Sequence, residues 1–222
     1  MLILAVDTSG KNGSLALVRF ENAAQQALDV VAIEGGTFSA QLVPQIGALL
    51  AKHGLSKTRI DAFAVASGPG SFTGLRVGLA AIKALAETLG KPIAAVSLLE
   101  VVARAAELNG RVVSALDAGR GEIYAGVYEI ENGGARRVSE TLETVASLAA
   151  LAGGQSVVIT PDQRLAETLK GAGVSVSLIS PPRAEAVALL GFEKIQAGET
   201  VAPELLDATY IRRSDAEIKL SK

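Results

Sequence analysis

The chain has 222 residues, with 23 Asp and Glu against 21 Lys and Arg and a formal charge of -2, so no global charge draws it to nucleic acid. It has no cysteine and one histidine, His53, which excludes disulfides, thiolate chemistry and a metal held by paired imidazoles. Hydrophobic residues make up 49% and aromatic ones only 4%, so Ala, Val, Leu and Ile must pack the core.

In chain order, "LILAVDTSGKNGSLALVRF" reads as two strands joined by a turn, and a third strand is expected over Ala27–Ile33. The spacing of Leu42, Ile46, Leu49 and His53 predicts a helix ending at Gly54, with Pro44 placed near its first turn, where a missing N–H costs little. "IDAFAVAS" predicts a buried strand. The glycine loop "SGPG" and a helix to about Leu89 follow, then strand "PIAAVS" and helix "LLEVVARAAEL". The second half repeats the order. "RVVSALDAGRGEIYAGVYEI" is again a hairpin, "RRVSE" is a candidate third strand, and helices near 144–152, 163–170 and 183–196 alternate with strands "SVVIT" and "VSVSLI". Asp7 and Asp117 each end a first strand, about half a chain apart. The expected organisation is a first lobe over 1–98 and a smaller second lobe over 99–222, whose last segment returns to the first. The apolar run Leu2–Val6 is too short for a signal peptide, and no stretch reaches the roughly 20 apolar residues that span a bilayer, so a soluble cytoplasmic protein is expected.

The stretch "ASGPGSFTGLRVG" at 66–78 poses the functional question. It fails the P-loop pattern because Thr73 stands where the second glycine belongs, and it fails the dinucleotide and nucleophile-elbow patterns as well. Amides at the helix start could still attract an anion. The helix itself is apolar over most of its circumference, with Gly74, Gly78, Ala81 and Leu85 forming a stripe that is small at its start and Arg76, Lys83 and Glu87 a polar line. Interior glycines there favour close approach of another backbone, supplied by the chain's own neighbouring helix or by a second chain. Asp7 and Asp117 are candidates for a water-coordinated magnesium beside a nucleotide, against the plainer role of capping a turn. Ser71 and Thr73 suit helix capping, His53 suits a helix end, and Glu122 and Tyr124 suit ordinary strand positions. No acid, base and nucleophile come together.

The duplicated meander with following helices resembles the two-lobe α/β fold of actin, hexokinase and the heat-shock ATPases, each lobe a mixed sheet flanked by helices. More closely, "LAVDTS" at 4–9, "SGPGSFTGLRVGLAAIKALA" at 67–86, "PIAAVSLLE" at 92–100, "LDAGRGEIYAGVY" at 116–128 and "YIRRSDAEIK" at 210–219 resemble the TsaB (YeaZ) family of tRNA threonylcarbamoyladenosine biosynthesis proteins. The resemblance implies a catalytically silent subunit that binds a TsaD-like transferase, is joined by a TsaE-like ATPase and reaches tRNA only through the complex. No metal and no cofactor of its own are implied, though ATP could sit at an interface shared in the complex. It also implies a homodimer when alone, through a surface on the two helices. The residues expected there are Leu42, Ile46, Leu49, Gly70, Phe72, Gly74, Val77, Gly78, Ala81 and Leu85. The family usually reads His-Ser-Glu where this chain has Phe38, Ser39 and Ala40, which removes two polar side chains from the edge of that surface.

Two other readings compete. A nucleotide-dependent phosphotransferase or glycoprotease-like peptidase of the actin-like superfamily would need ligands beyond Asp7 and Asp117. Direct tRNA binding would need a local basic face, for which Arg136, Arg137, Arg212 and Arg213 are the candidates.

Overall fold

The computed structural model describes residues 1–21, 24–154 and 156–212. The chain divides into two compact units, Met1–Ser97 with Arg183–Thr209, and Leu98–Pro182 with the residues from Tyr210 onward.

The first unit is built on strands β1 (Leu2–Asp7), β2 (Gly13–Glu21), β3 (Ala24–Ile33), β4 (Ala62–Gly68) and β5 (Ile93–Ser97), in the order β3-β2-β1-β4-β5. The first three form an antiparallel meander, and β4 and β5 add in parallel. β1, β2 and β4 read as near-continuous apolar runs because helices cover both faces of the sheet. Alternation splits their side chains. Leu2, Leu4, Val6, Leu15, Leu17, Phe63 and Val65 join the core under α1 (Phe38–Lys52) and α2 (Phe72–Leu89). Ala64 and Ala94 point the other way, toward the helix at Ala184–Gln196, where a Cβ added to Gly191 would lie 2.4 Å from the Ala64 Cβ. That helix, α6, falls within 99–222, the stretch whose last segment is expected to return to the first lobe. It packs on the first sheet, where Gly191 brings its backbone down onto the two alanines, Phe20 and Phe192 stack at 4.2 Å, and the Ala184 N–H donates to Ser14 Oγ at 2.9 Å.

Two local expectations are also corrected. Pro44 lies past the first turn of α1, which starts at Phe38. The Ala40 carbonyl it leaves without a helical donor is on the exposed side, where water can take that role. The helix α3 (Leu98–Arg104) stops at Arg104 rather than continuing through "AAEL", and Glu107 adopts a left-handed φ of 52°.

The second unit repeats the plan. Strands β6 (Gly110–Gly119), β7 (Glu122–Glu131), β8 (Gly134–Glu143), β9 (Val157–Thr160) and β10 (Val176–Leu178) run in the order β10-β9-β6-β7-β8, again a meander with two parallel additions. On one face α3 (Leu98–Arg104) packs Leu99 and Val102 against Val112, Tyr128 and Ile130. On the other, α4 (Val145–Ala152) and α5 (Gln163–Gly171) cover Val113, Ala115, Ile123 and Val127. This is the duplicated two-lobe α/β fold.

Candidate functional site

The start of α2 is fastened to the turn after β1. The Ser71 N–H donates to the Ser9 carbonyl at 2.6 Å, the Thr8 hydroxyl donates to the Gly74 carbonyl at 2.7 Å, and Ser71 Oγ caps the helix by accepting from the Gly74 N–H at 3.3 Å. The glycines make this possible. An added Cβ would stand 2.6 Å from the Ser9 carbonyl oxygen at Gly70, 2.0 Å from the Thr8 carbonyl oxygen at Gly74, and 2.3 Å from Thr8 Oγ1 at Gly78. The backbone that the glycine segment admits is therefore the chain's own β1 turn. For Gly70, Gly74 and Gly78 this corrects the expectation of a partner contact.

Leu42, Ile46 and Leu49 are corrected likewise. They are 1%, 5% and 2% exposed and pack with Leu75, Leu79 and Ile82 in the core of the first unit. Val77, Ala81 and Leu85 are partly buried against the same core. Phe72 remains exposed, with the Arg76 guanidinium 3.7 Å above its ring. Phe38 is buried and covers Gly13, while Ser39 and Ala40 are exposed at the start of α1.

The helix pair presents an outer face that the leucine stripe did not reveal. Ala40, Val43, Pro44, Gly47, Ala48 and Ala51 are exposed on α1, and Ala80 and Ala84 on α2. Val43 is 58% exposed. Lys52, at the very end, is the sole charged residue of α1. The signal was present in the sequence as Val43, Pro44, Gly47, Ala48 and Ala51, one or two residues on from Leu42, Ile46 and Leu49. The end of α1 is tied to β3, where Asp29 Oδ2 accepts from Lys52 Nζ at 2.6 Å and lies 3.2 Å from His53 Nε2. The hydrogen bond from Lys52, then that from His53, holds the Asp29 carboxyl below its ordinary range.

The actin-like plan implies a nucleotide with a divalent cation near Asp7 and Asp117, and the residues present do not fit one. Asp7 Oδ1 accepts from both the N–H and the hydroxyl of Ser9, at 2.9 and 2.5 Å. Burial raises the Asp7 pKa, and the two Ser9 hydrogen bonds pull it back only in part. Asp117 Oδ1 accepts from the Gly119 N–H at 2.8 Å, as a turn cap does. No group of three or more His, Cys, Asp or Glu able to hold a metal occurs among the described residues. A cavity of about 800 Å³ in the first unit is bordered by one side chain of each charge, Lys11 and Glu34, with Asn12, Ser71 and Thr73 among its lining. The arginines suggested for tRNA are paired: Arg136 with Glu129, Arg137 with Glu140, and Arg212 with Glu122 at 3.2 Å and the Ala118 carbonyl. Glu122 thus serves that ion pair on β7, with Tyr124 two residues along. Arg213 lies outside the described residues.

Residues 33–202 match the family model described as TsaD: tRNA N6-adenosine threonylcarbamoyltransferase. The tRNA threonylcarbamoyladenosine biosynthesis protein TsaB of Escherichia coli K12 is 30% identical over 231 residues, spanning 99% of this chain and 98% of that protein. The protein of the same name from Bacillus subtilis 168 is 34% identical over 134 residues, 60% of this chain and 57% of the relative. The solved structure of YeaZ from Pseudomonas aeruginosa superimposes with a TM-score of 0.78 at 27% identity, covering 94% of this chain and 99% of that one.

Proposed function

Because the chain belongs to the TsaB (YeaZ) family, we propose that it is a non-catalytic subunit in tRNA threonylcarbamoyladenosine biosynthesis that docks a TsaD-family transferase through the outer face of α1 and α2. The full-length E. coli relative, named for that biosynthesis, supports the pathway. The observation that carries the docking is the exposed face of α1 through Val43, Pro44 and Ala48, which carries no charge before Lys52 at its end, with Ala80 and Ala84 exposed on α2 between Arg76 and Glu87. Apolar surface at the centre of a contact, with charge kept to its edge, is the anatomy of a protein interface. The non-catalytic role is supported by the use the chain makes of Asp7, Ser9 and Ser71 in holding its own fold.

In this reading a TsaE-like ATPase joins the pair, tRNA is reached only through the assembly, and any ATP sits at a shared interface. Alone, the chain pairs with a second copy through the same face.

The test is light scattering after gel filtration of the chain mixed with the TsaD-family subunit of its own source. The wild type forms a one-to-one complex. Val43→Asp leaves the core intact, since the side chain is 58% exposed, and weakens the complex by roughly tenfold or more. A folded Val43→Asp variant that binds as well as wild type removes α1 from the docking surface.

A further inference from the structure

We propose that Asn109 is a site of spontaneous deamidation, where the folded chain converts its own side-chain amide into a carboxylate. Three of the four asparagines, Asn12, Asn109 and Asn132, stand directly before a glycine. In such a pair the glycine nitrogen attacks the Asn Cγ, because no Cβ on the glycine shields it. A succinimide ring closes, the amide proton goes to the leaving group, and ammonia departs. Water then opens the ring at either carbonyl, giving aspartate or isoaspartate. Both products put one negative charge where a neutral amide stood, and water is the sole co-reactant. The fold itself demands the glycine at each place. A Cβ added to Gly13 would lie 2.7 Å from the Asp7 carbonyl oxygen and 2.8 Å from the Phe38 ring, while Gly110 and Gly133 have left-handed φ values of 91° and 79°.

The structure separates the three. Ring closure requires the asparagine to turn until its Cγ lies against the next nitrogen, and the rate depends steeply on reaching that geometry. Asn132 and Gly133 are the two central residues of the β7–β8 turn, both with positive φ, and the pairing of Glu131 with Gly134 closes the turn around them. Asn12 is fixed from both sides. Gly13 is buried at the start of β2, and the Lys11 carbonyl packs so closely on Gly35 that a Cβ there would stand 1.6 Å from its oxygen. Asn109 has neither restraint. It lies between the end of α3 at Arg104 and the start of β6 at Gly110, in no helix or strand, and residues 107–110 are all exposed. A Cβ added to Gly110 would meet nothing within 4 Å, so no packed neighbour opposes the turn. The longer backbone of isoaspartate also falls before the first ladder pair, Gly110 with Ile130, so the product keeps the fold.

The test incubates the whole chain at mildly alkaline pH, folded and in denaturant, and follows peptides covering the three asparagines by mass spectrometry. In denaturant each site reports the reactivity of its own sequence, so the ratio of folded to denatured rate isolates the effect of structure. That ratio should be larger at Asn109 than at Asn12 or Asn132 by roughly tenfold or more. The folded protein should gain a more acidic species with an unchanged melting temperature. An isoaspartyl methyltransferase supplied with labelled S-adenosylmethionine should mark that species. Asn109→Gln should abolish it, since the longer side chain closes its ring far more slowly. Equal ratios at the three sites overturn the assignment, as does a folded chain in which Asn109 stays intact. Persistence of the acidic species in Asn109→Gln places the reaction elsewhere and overturns it too. A fall in melting temperature on conversion would show that the segment is held by the fold, against the freedom the proposal requires.

Discussion

Asp7 is retained where its charge is unwelcome. Burial raises its pKa, while the Ser9 N–H and hydroxyl stabilise the carboxylate in part. A group whose folded pKa lies above its unfolded value contributes stability below the unfolded value, and that contribution is lost as pH rises through the folded one. At neutral pH the ionised side chain therefore works against the fold. Asn keeps an oxygen for Ser9 and carries no charge to bury. Asp7→Asn should thus melt higher than wild type near pH 7.5, with the gap closing as the pH is lowered toward the ordinary carboxylate range. Melting curves across that range check it. A variant less stable than wild type at every pH would mean that the hydrogen bonds from Ser9, and not the cost of burial, dominate at this site.

At the scale of the elements, the seating of α2 on the β1 turn is the contact most sensitive to a single atom. Alanine at Gly74 would place its Cβ 2.0 Å from the Thr8 carbonyl oxygen, a backbone atom that cannot swing aside. Gly74→Ala should destabilise the chain by about 1–3 kcal/mol despite the better helix propensity of alanine, a loss that denaturant titration would register. An unchanged midpoint would show that α2 moves off the turn freely. The same geometry explains what the sequence could tell and what it could not. The meander, the order of helices and strands, and the ends of α2 followed from apolar periodicity and turn residues, because these signals are local. That Gly74 and Gly78 demand a close backbone was also legible. Which backbone was not, since Thr8 is distant in sequence and only the pairing of β1 with β4 brings it under α2. The expectation of an outward surface on the leucine stripe of α1 fails for a related reason. Periodicity finds an apolar face, yet an apolar face is more often one the chain buries for itself. The face left outside is marked by small residues, whose weak hydrophobic signal hides them.

For the whole molecule, the balance of 21 basic and 23 acidic residues leaves little net charge, and the exposed face of α1 carries charge only at Lys52. Near that face, Arg76 is engaged with Phe72 and Lys83 donates to the Glu204 carbonyl at 3.2 Å. Binding through such a surface draws on removal of apolar area from water rather than on charge attraction. Exposed charges are already largely screened at 0.1 M salt, while apolar burial persists at higher ionic strength. The dissociation constant with the transferase subunit should therefore change by no more than about twofold between 0.1 and 0.5 M sodium chloride, and binding should show a negative heat-capacity change. Calorimetry at two temperatures and two salt concentrations measures both. If affinity instead falls tenfold or more with salt, charged side chains outside this face hold the partner, and the contact must be sought elsewhere on the surface.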